Sequence, residues 1–223
     1  MDWVHYLPPL LEGAWLTIQL ATGSTLLGGA CAFILGIAAT AQTRILRSAA
    51  VAVIEFFRGT SLLVQLFWLY FALPILGQEL GVDLRLPAVA VGTLALSLNI
   101  GAYGAEVVRG ALRAVAPQQR EAALALNFSP AQRLWRIELP QAIPEMMPSF
   151  GNLAIQNLKD TALVSLLGLG DLTFRAEQIR NLTQDNATLY TLLLVMYFGM
   201  ALILAGLMKW LERHVGQWRA KGD

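Results

Sequence analysis

Residues 121–140, EAALALNFSPAQRLWRIELP, are the most polar long segment of a chain that is otherwise mostly apolar. Pro117, just upstream, is suited to open a helix, because a proline in the first turn gives up no helical N–H. Asn127 is suited to close that helix in the left-handed conformation. Ser129 then reads as an N-cap, with Pro130 at the first helical position and Gln132 completing a Ser-x-x-Gln capping box. A second short helix is expected to run until Pro140 stops it. The spacing therefore predicts a helix–turn–helix over about 113–140. It presents Glu121 beside the small Ala122 and Ala123, with Phe128, Leu134 and Trp135 as apolar contacts. Such a hairpin, set between two membrane spans, is shaped to dock into another protein.

Working outward, composition places the hairpin in a membrane protein. The 223 residues are 56% hydrophobic and 14% charged, with a mean hydropathy of +0.55, values far from those of soluble domains. The single cysteine, Cys31, excludes an internal disulfide. Residues 1–12 carry Asp2 and Glu12 and no Lys or Arg, which is not the start of a cleavable export signal. Five spans are expected, at about 14–41, 49–76, 87–108, 144–169 and 189–211. Each is long enough for a hydrocarbon core of about 30 Å.

Charge sets the orientation. With the N-terminus outside, Arg44 and Arg47 fall in the first inner loop, and Arg109, Arg113, Arg120, Arg133 and Arg136 in the second. Lys209, Arg213, Arg219 and Lys221 fall at the inner C-terminal end. The outer loops keep Arg85, Arg175 and Arg180 beside Glu79, Asp83, Asp171, Glu177 and Asp185. This positive-inside asymmetry predicts N-out, C-in, with the hairpin in the cytosol.

No phosphate-binding G-x-x-x-x-G-K-[ST] loop is present, and Gly168-Leu169-Gly170 is too short to be a nucleotide fingerprint. His5 and His214 are the only histidines, on opposite sides, so neither a metal pair nor a catalytic constellation is expected. The chemistry is then expected in polar groups at membrane depth, where a charge costs about 2.5–3.5 kcal/mol and needs a partner or a task. Glu55 and Arg58, three apart, can pair on one helix face. Alternatively Gly59 breaks the helix, Thr60 or Ser61 caps a new half-helix, and Arg58 meets a carboxylate with its planar fork of donors. Lys159 and Asp160 are adjacent and point in different directions, so each pairs with another helix or faces a watery cavity. Asp160 shares a face with Asn157. Glu106 and Arg109 fit an interfacial ion pair.

These stretches resemble one family, the ABC-transporter permease subunits of polar amino-acid uptake (the histidine/glutamine/arginine/opine group). Glu121-Ala122-Ala123 with Ile137-x-Leu139-Pro140 resembles its cytosolic EAA loop. Residues 58–65, RGTSLLVQ, resemble its RGTPLLVQ stretch. Residues 101–106, GAYGAE, with Arg109-Gly110, resemble its GAYxAExxRG run, and residues 158–165, LKDTALVS, its LKDTSLVS run. Three positions depart from the pattern. Asn127 stands for the usual glycine and tolerates the left-handed turn next best. Ser61 stands for proline, which leaves the break dependent on Gly59, and Gln118 stands for glycine without evident consequence.

The resemblance implies an all-α integral membrane protein with the five-helix type I importer fold, a single transmembrane permease domain over 1–223. It implies a bacterial inner-membrane location, a second permease subunit (the same or a sister chain), and an extracytoplasmic substrate-binding protein. It further implies a cytosolic ATPase dimer seated on Glu121, Ala122, Ala123, Asn127, Phe128, Leu139 and Pro140. ATP and Mg would belong to that partner, with no cofactor, no catalytic residue and no nucleic acid for this chain. Arg58, Thr60, Gln65, Tyr103, Glu106, Asn157, Asp160 and Ser165 are the candidate cargo residues. The cargo expected is a polar amino acid, or alternatively an opine or ectoine-like solute. A membrane scaffold whose hairpin merely binds a cytosolic protein is the competing class, opposed by Arg58 and Lys159 at membrane depth.

Overall fold

The computed structural model describes residues 3–216, and every regular element among them is helical. Asp2, Arg219 and Lys221 lie outside the described residues. Helix α1, Trp3–Ala38, buries one stripe that includes Thr17, Ala21, Ser24, Gly28, Ala32 and Gly36. Against it lies α4, Ala88–Ala114. The two backbones touch because the facing residues are small. A Cβ on Gly28 would stand 2.2 Å from the Ile100 side chain, and one on Gly36 would stand 2.6 Å from Val108. From the other side, a Cβ on Gly104 would stand 2.7 Å from Ala32.

Between these two helices in the sequence come α2, Arg44–Gly59, which buries only Ala50 and Ile54, and α3, Leu62–Glu79. After α4 come α5, Pro117–Ala125, and the long α6, 130–160. Helix α6 passes from Pro130–Arg133 through a π turn, Leu134–Glu138, into Leu139–Asp160. A 3₁₀ helix, Thr161–Leu167, leads to α7, Leu172–Thr183, and α8, Asn186–Gly216.

Pro140 therefore does not stop the hairpin's second helix, contrary to the expectation from sequence. A π turn immediately precedes it, and Leu139 N–H reaches back to Leu134 O. The same arrangement recurs in α3, where the π turn Trp68–Ala72 precedes Pro74 and Leu73 N–H reaches Trp68 O. A helical proline lacks its N–H and presses its ring on the carbonyl four residues back, and the widened turn relieves both. Packing of Leu139 with Val108, Leu112 and Met146 then carries the helix onward.

Four of the described helices are long and apolar enough to cross a membrane: Trp3–Ala38, Leu62–Glu79, Ala88–Ala114 and Asn186–Val215. Two expected spans differ from this. The span at 49–76 divides at Thr60–Ser61, and its first half, α2, is an amphipathic helix carrying Arg44, Arg47, Glu55 and Arg58. The span at 144–169 is α6 with its 3₁₀ extension. Its apolar run is diluted by Pro144, Pro148, Asn152, Gln156, Asn157, Lys159 and Asp160. It packs instead on α1, α4 and α8. One apolar cluster, around Leu66, Val91, Leu96 and Val164, joins α3, α4 and the 3₁₀ helix.

Candidate functional site

The break between α2 and α3 is where the sequence placed it. Thr60 and Ser61 are extended, and α3 restarts at Leu62 with Ser61 in the N-cap position. Ser61 makes no side-chain cap, and Thr60 turns back to donate to Phe56 O at 2.9 Å. The stitch is Gln65. Its buried amide donates to Phe57 O at 2.9 Å and to Thr60 Oγ1 at 2.8 Å, so it satisfies groups that the interrupted helix leaves open. Its carbonyl oxygen is buried without a donor. A cavity of about 260 Å³ opens beside the break, walled by Phe56, Phe57, Thr60, Val64, Gln65, Trp68, Leu69 and Leu98.

Arg58 is held at the same place by two neighbours. Its guanidinium pairs with Glu55 at 3.1 Å and lies over the Tyr103 ring, 5.6 Å from the centroid. The second contact brings α2 and α4 together and joins two candidate residues 45 positions apart. Arg58 Nε is buried with no acceptor, and Tyr103 is 41% exposed. Glu106 pairs with Arg109 on the same helix, as the sequence suggested, and keeps one oxygen without a donor.

The other candidates are placed differently. Asn157 is buried, and its amide donates to Ser24 Oγ at 2.7 Å and Thr25 Oγ1 at 2.9 Å, locking α6 to α1. Ser165 is buried and donates to Ala162 O within its own 3₁₀ turn. Asn157 and Ser165 are thus engaged inside the chain, whereas Gln65 both bridges the helix break and walls the cavity beside it. Asp160 is half-buried and accepts from Gln156 at 2.9 Å, while the adjacent Lys159 is exposed.

The hairpin is built as its sequence prescribes. Asn127 has φ +54°. Phe128 N–H reaches Ala123 O at 3.0 Å and Asn127 N–H reaches Leu124 O at 2.9 Å, the paired bonds of a Schellman C-cap. Both halves of the Ser129–Gln132 capping box are made. Glu121, Ala122, Leu124, Leu126, Trp135 and Pro140 are exposed, and Phe128 is half-buried. Ala123 is fully buried and Leu139 nearly so, which corrects their expected place on the docking face. Their side chains pack inside this chain. Sequence reasoning passed over Glu138, a buried carboxylate between Arg120, 3.0 Å away, and Arg133, 3.2 Å away. Its signal is an acid amid the apolar run that ends the hairpin.

A broken helix thus lies beside an aromatic–arginine pair, with a doubly capped hairpin between α4 and the membrane-depth part of α6. Residues 28–217 match the family model described as "Binding-protein-dependent transport system inner membrane component", and the chain belongs to that family. It is a multi-pass membrane protein. The chain is 60% identical over 219 residues to a probable amino-acid ABC transporter permease, y4tF, of Sinorhizobium fredii, covering 98% of this chain and 92% of that one. It is 32% identical to the glutamine transport system permease GlnP of Escherichia coli, covering 94% of each. Among solved structures it resembles a chain of an amino acid ABC transporter crystallised with histidines, with TM-score 0.85 and 32% identity. That match covers 96% of this chain and 97% of the other.

Proposed function

We propose that this chain is the transmembrane permease through which a polar amino acid or related zwitterion enters the cell, driven by ATP hydrolysis in a separate subunit. The observation that carries the coupling half is the hairpin. Its two caps fix the turn, while Leu124, Leu126 and Trp135 stand 59%, 67% and 67% exposed. A free loop needs no such apolar display, and an ATPase covering it explains the display. The amino-acid half rests on the similar permeases and on the Arg58–Tyr103 pair beside the broken helix. A guanidinium suits a carboxylate, and Tyr103 with Glu106 or Asp160 suits an ammonium group.

A second permease subunit completes the pathway, and an outer binding protein delivers the cargo. The chain itself then binds and orients the solute, while ATP and Mg work in the partner. The test is reconstitution of the complex in liposomes with its binding protein. Uptake of a labelled amino acid, dependent on internal ATP and stimulating its hydrolysis, is the expected result. A complex that forms and hydrolyses ATP yet moves no amino acid or zwitterion would refute the cargo class.

A further inference from the structure

At the hairpin end of the molecule, a cleft of about 440 Å³ lies between the α1–α2 loop, the end of α4 and the α5–α6 hairpin. Four arginines line it, Arg47, Arg113, Arg120 and Arg133, against one acid, Glu138. Glu138 is already shared, because Arg120 Nε and Arg133 Nε both stand at ion-pair distance from the same oxygen. Arg120 also donates to Leu112 O at the end of α4, at 2.5 Å. Arg47 reaches only Ala41 O, at 3.5 Å, and Arg113 has no ion pair among the described residues.

Such a cleft holds an excess of positive charge, four guanidinium groups against one carboxylate, and Arg47 and Arg113 have no ion pair among the described residues. Planar guanidinium forks match phosphate oxygens. Apolar walls from Ile37, Leu46, Leu112 and Leu134 stand beside the charges and suit the carbon skeleton of a phosphate ester. We propose that this cleft is a binding site for a phosphate-bearing anion, distinct from the cargo path. The phosphate comes either from an anionic phospholipid headgroup or from a free phosphate in solution. Its ligands would be Arg47 and Arg113, with Arg120 and Arg133 adding positive charge from their shared pairing with Glu138. Because its walls come from the hairpin, the α1–α2 loop and the end of α4, an occupant would brace the hairpin against the membrane-spanning part.

The full-length protein, purified in detergent, is titrated separately with phosphatidylglycerol, phosphatidylcholine and inorganic phosphate, and binding is read by native mass spectrometry and thermal shift. Phosphatidylglycerol binding with no effect of inorganic phosphate assigns the lipid source, and stabilisation by inorganic phosphate alone assigns the free one. Either way, the double variant Arg47→Gln/Arg113→Gln, which spares the Glu138 pairs, is expected to weaken binding about tenfold or more. Glu138→Gln removes the competing carboxylate and is expected to tighten it, an effect in the opposite direction that a structural defect would not produce. Arg85→Gln, in the loop before α4, is the control and leaves binding unchanged. Equal binding by the double variant and the parent, or equal retention of phosphatidylglycerol and phosphatidylcholine with no response to phosphate, overturns the proposal.

Discussion

Asp171 shows how far a single side chain's setting can depart from what its position suggests. It N-caps α7, accepting from Thr173 N–H at 3.1 Å, and is fully buried with its other oxygen unpaired. Burial pushes its carboxyl up to about 7, although the cap hydrogen bonds pull the other way. A folded pKa above the unfolded value of 3.8 means that between about pH 4 and pH 7 the folded state keeps a proton the unfolded chain has lost. Stability from this group is therefore greatest in acid and falls as pH rises through 7. Asp171→Asn keeps the cap and removes the titration. The parent's melting temperature minus the variant's should fall between pH 5 and pH 8, and a constant difference would contradict the assignment. Arg58 is tested the same way. Arg58→Ala is expected to lower uptake about tenfold or more with the complex intact, and Arg58→Lys recovers little because it lacks the planar fork. Loss of the assembled complex instead would reduce Arg58 to the neutraliser of Glu55.

At the scale of elements, the hairpin separates two neighbouring alanines by role. Ala123 is buried at 0% exposure and Ala122 is exposed. Ala123→Trp would overpack the chain's own interior, so it is expected to destabilise the hairpin itself. Ala122→Trp and Glu121→Lys alter only the outer face, and should release the ATPase while melting temperature and helical content stay put. Full co-purification with normal cargo-stimulated hydrolysis in both outer variants would sink the docking model. The hairpin was legible because caps are local: Asn127, Ser129 and Gln132 each act within five residues. The π turn before Pro140 was not, since relief of a proline and packing of Leu139 on Val108 and Met146 are needed to see the helix continue. Asn157 was misplaced for a similar reason, as its partner Ser24 lies 133 positions away. Gly28 and Gly36 carry no local signal at all; only the approach of α4 gives them meaning.

At the scale of the whole molecule, the arginines gather mainly at one end. Helix α4 has 27 residues and so spans about 40 Å at ~1.5 Å per residue. It separates the 80–87 loop from the hairpin. Contact of Gly13 with Asp171 puts the start of α1 and α7 at one end, and contact of Gly36 with Val108 puts the end of α1 beside the hairpin at the other. Arg44, Arg47, Arg109, Arg113, Arg120, Arg133 and Arg136 gather at the hairpin end, where positive charge favours the cytoplasmic face. The expected topology is therefore hairpin inside, with the 80–87 loop outside. Cys31 is the sole cysteine, so a Cys31→Ser background admits a single new probe. Val82→Cys, exposed in the loop before α4, should react with a membrane-impermeant maleimide in intact cells, whereas Ala122→Cys should react only once the inner face is opened. Reversed labelling would invert the orientation, and with it the side on which ATPase and binding protein must sit.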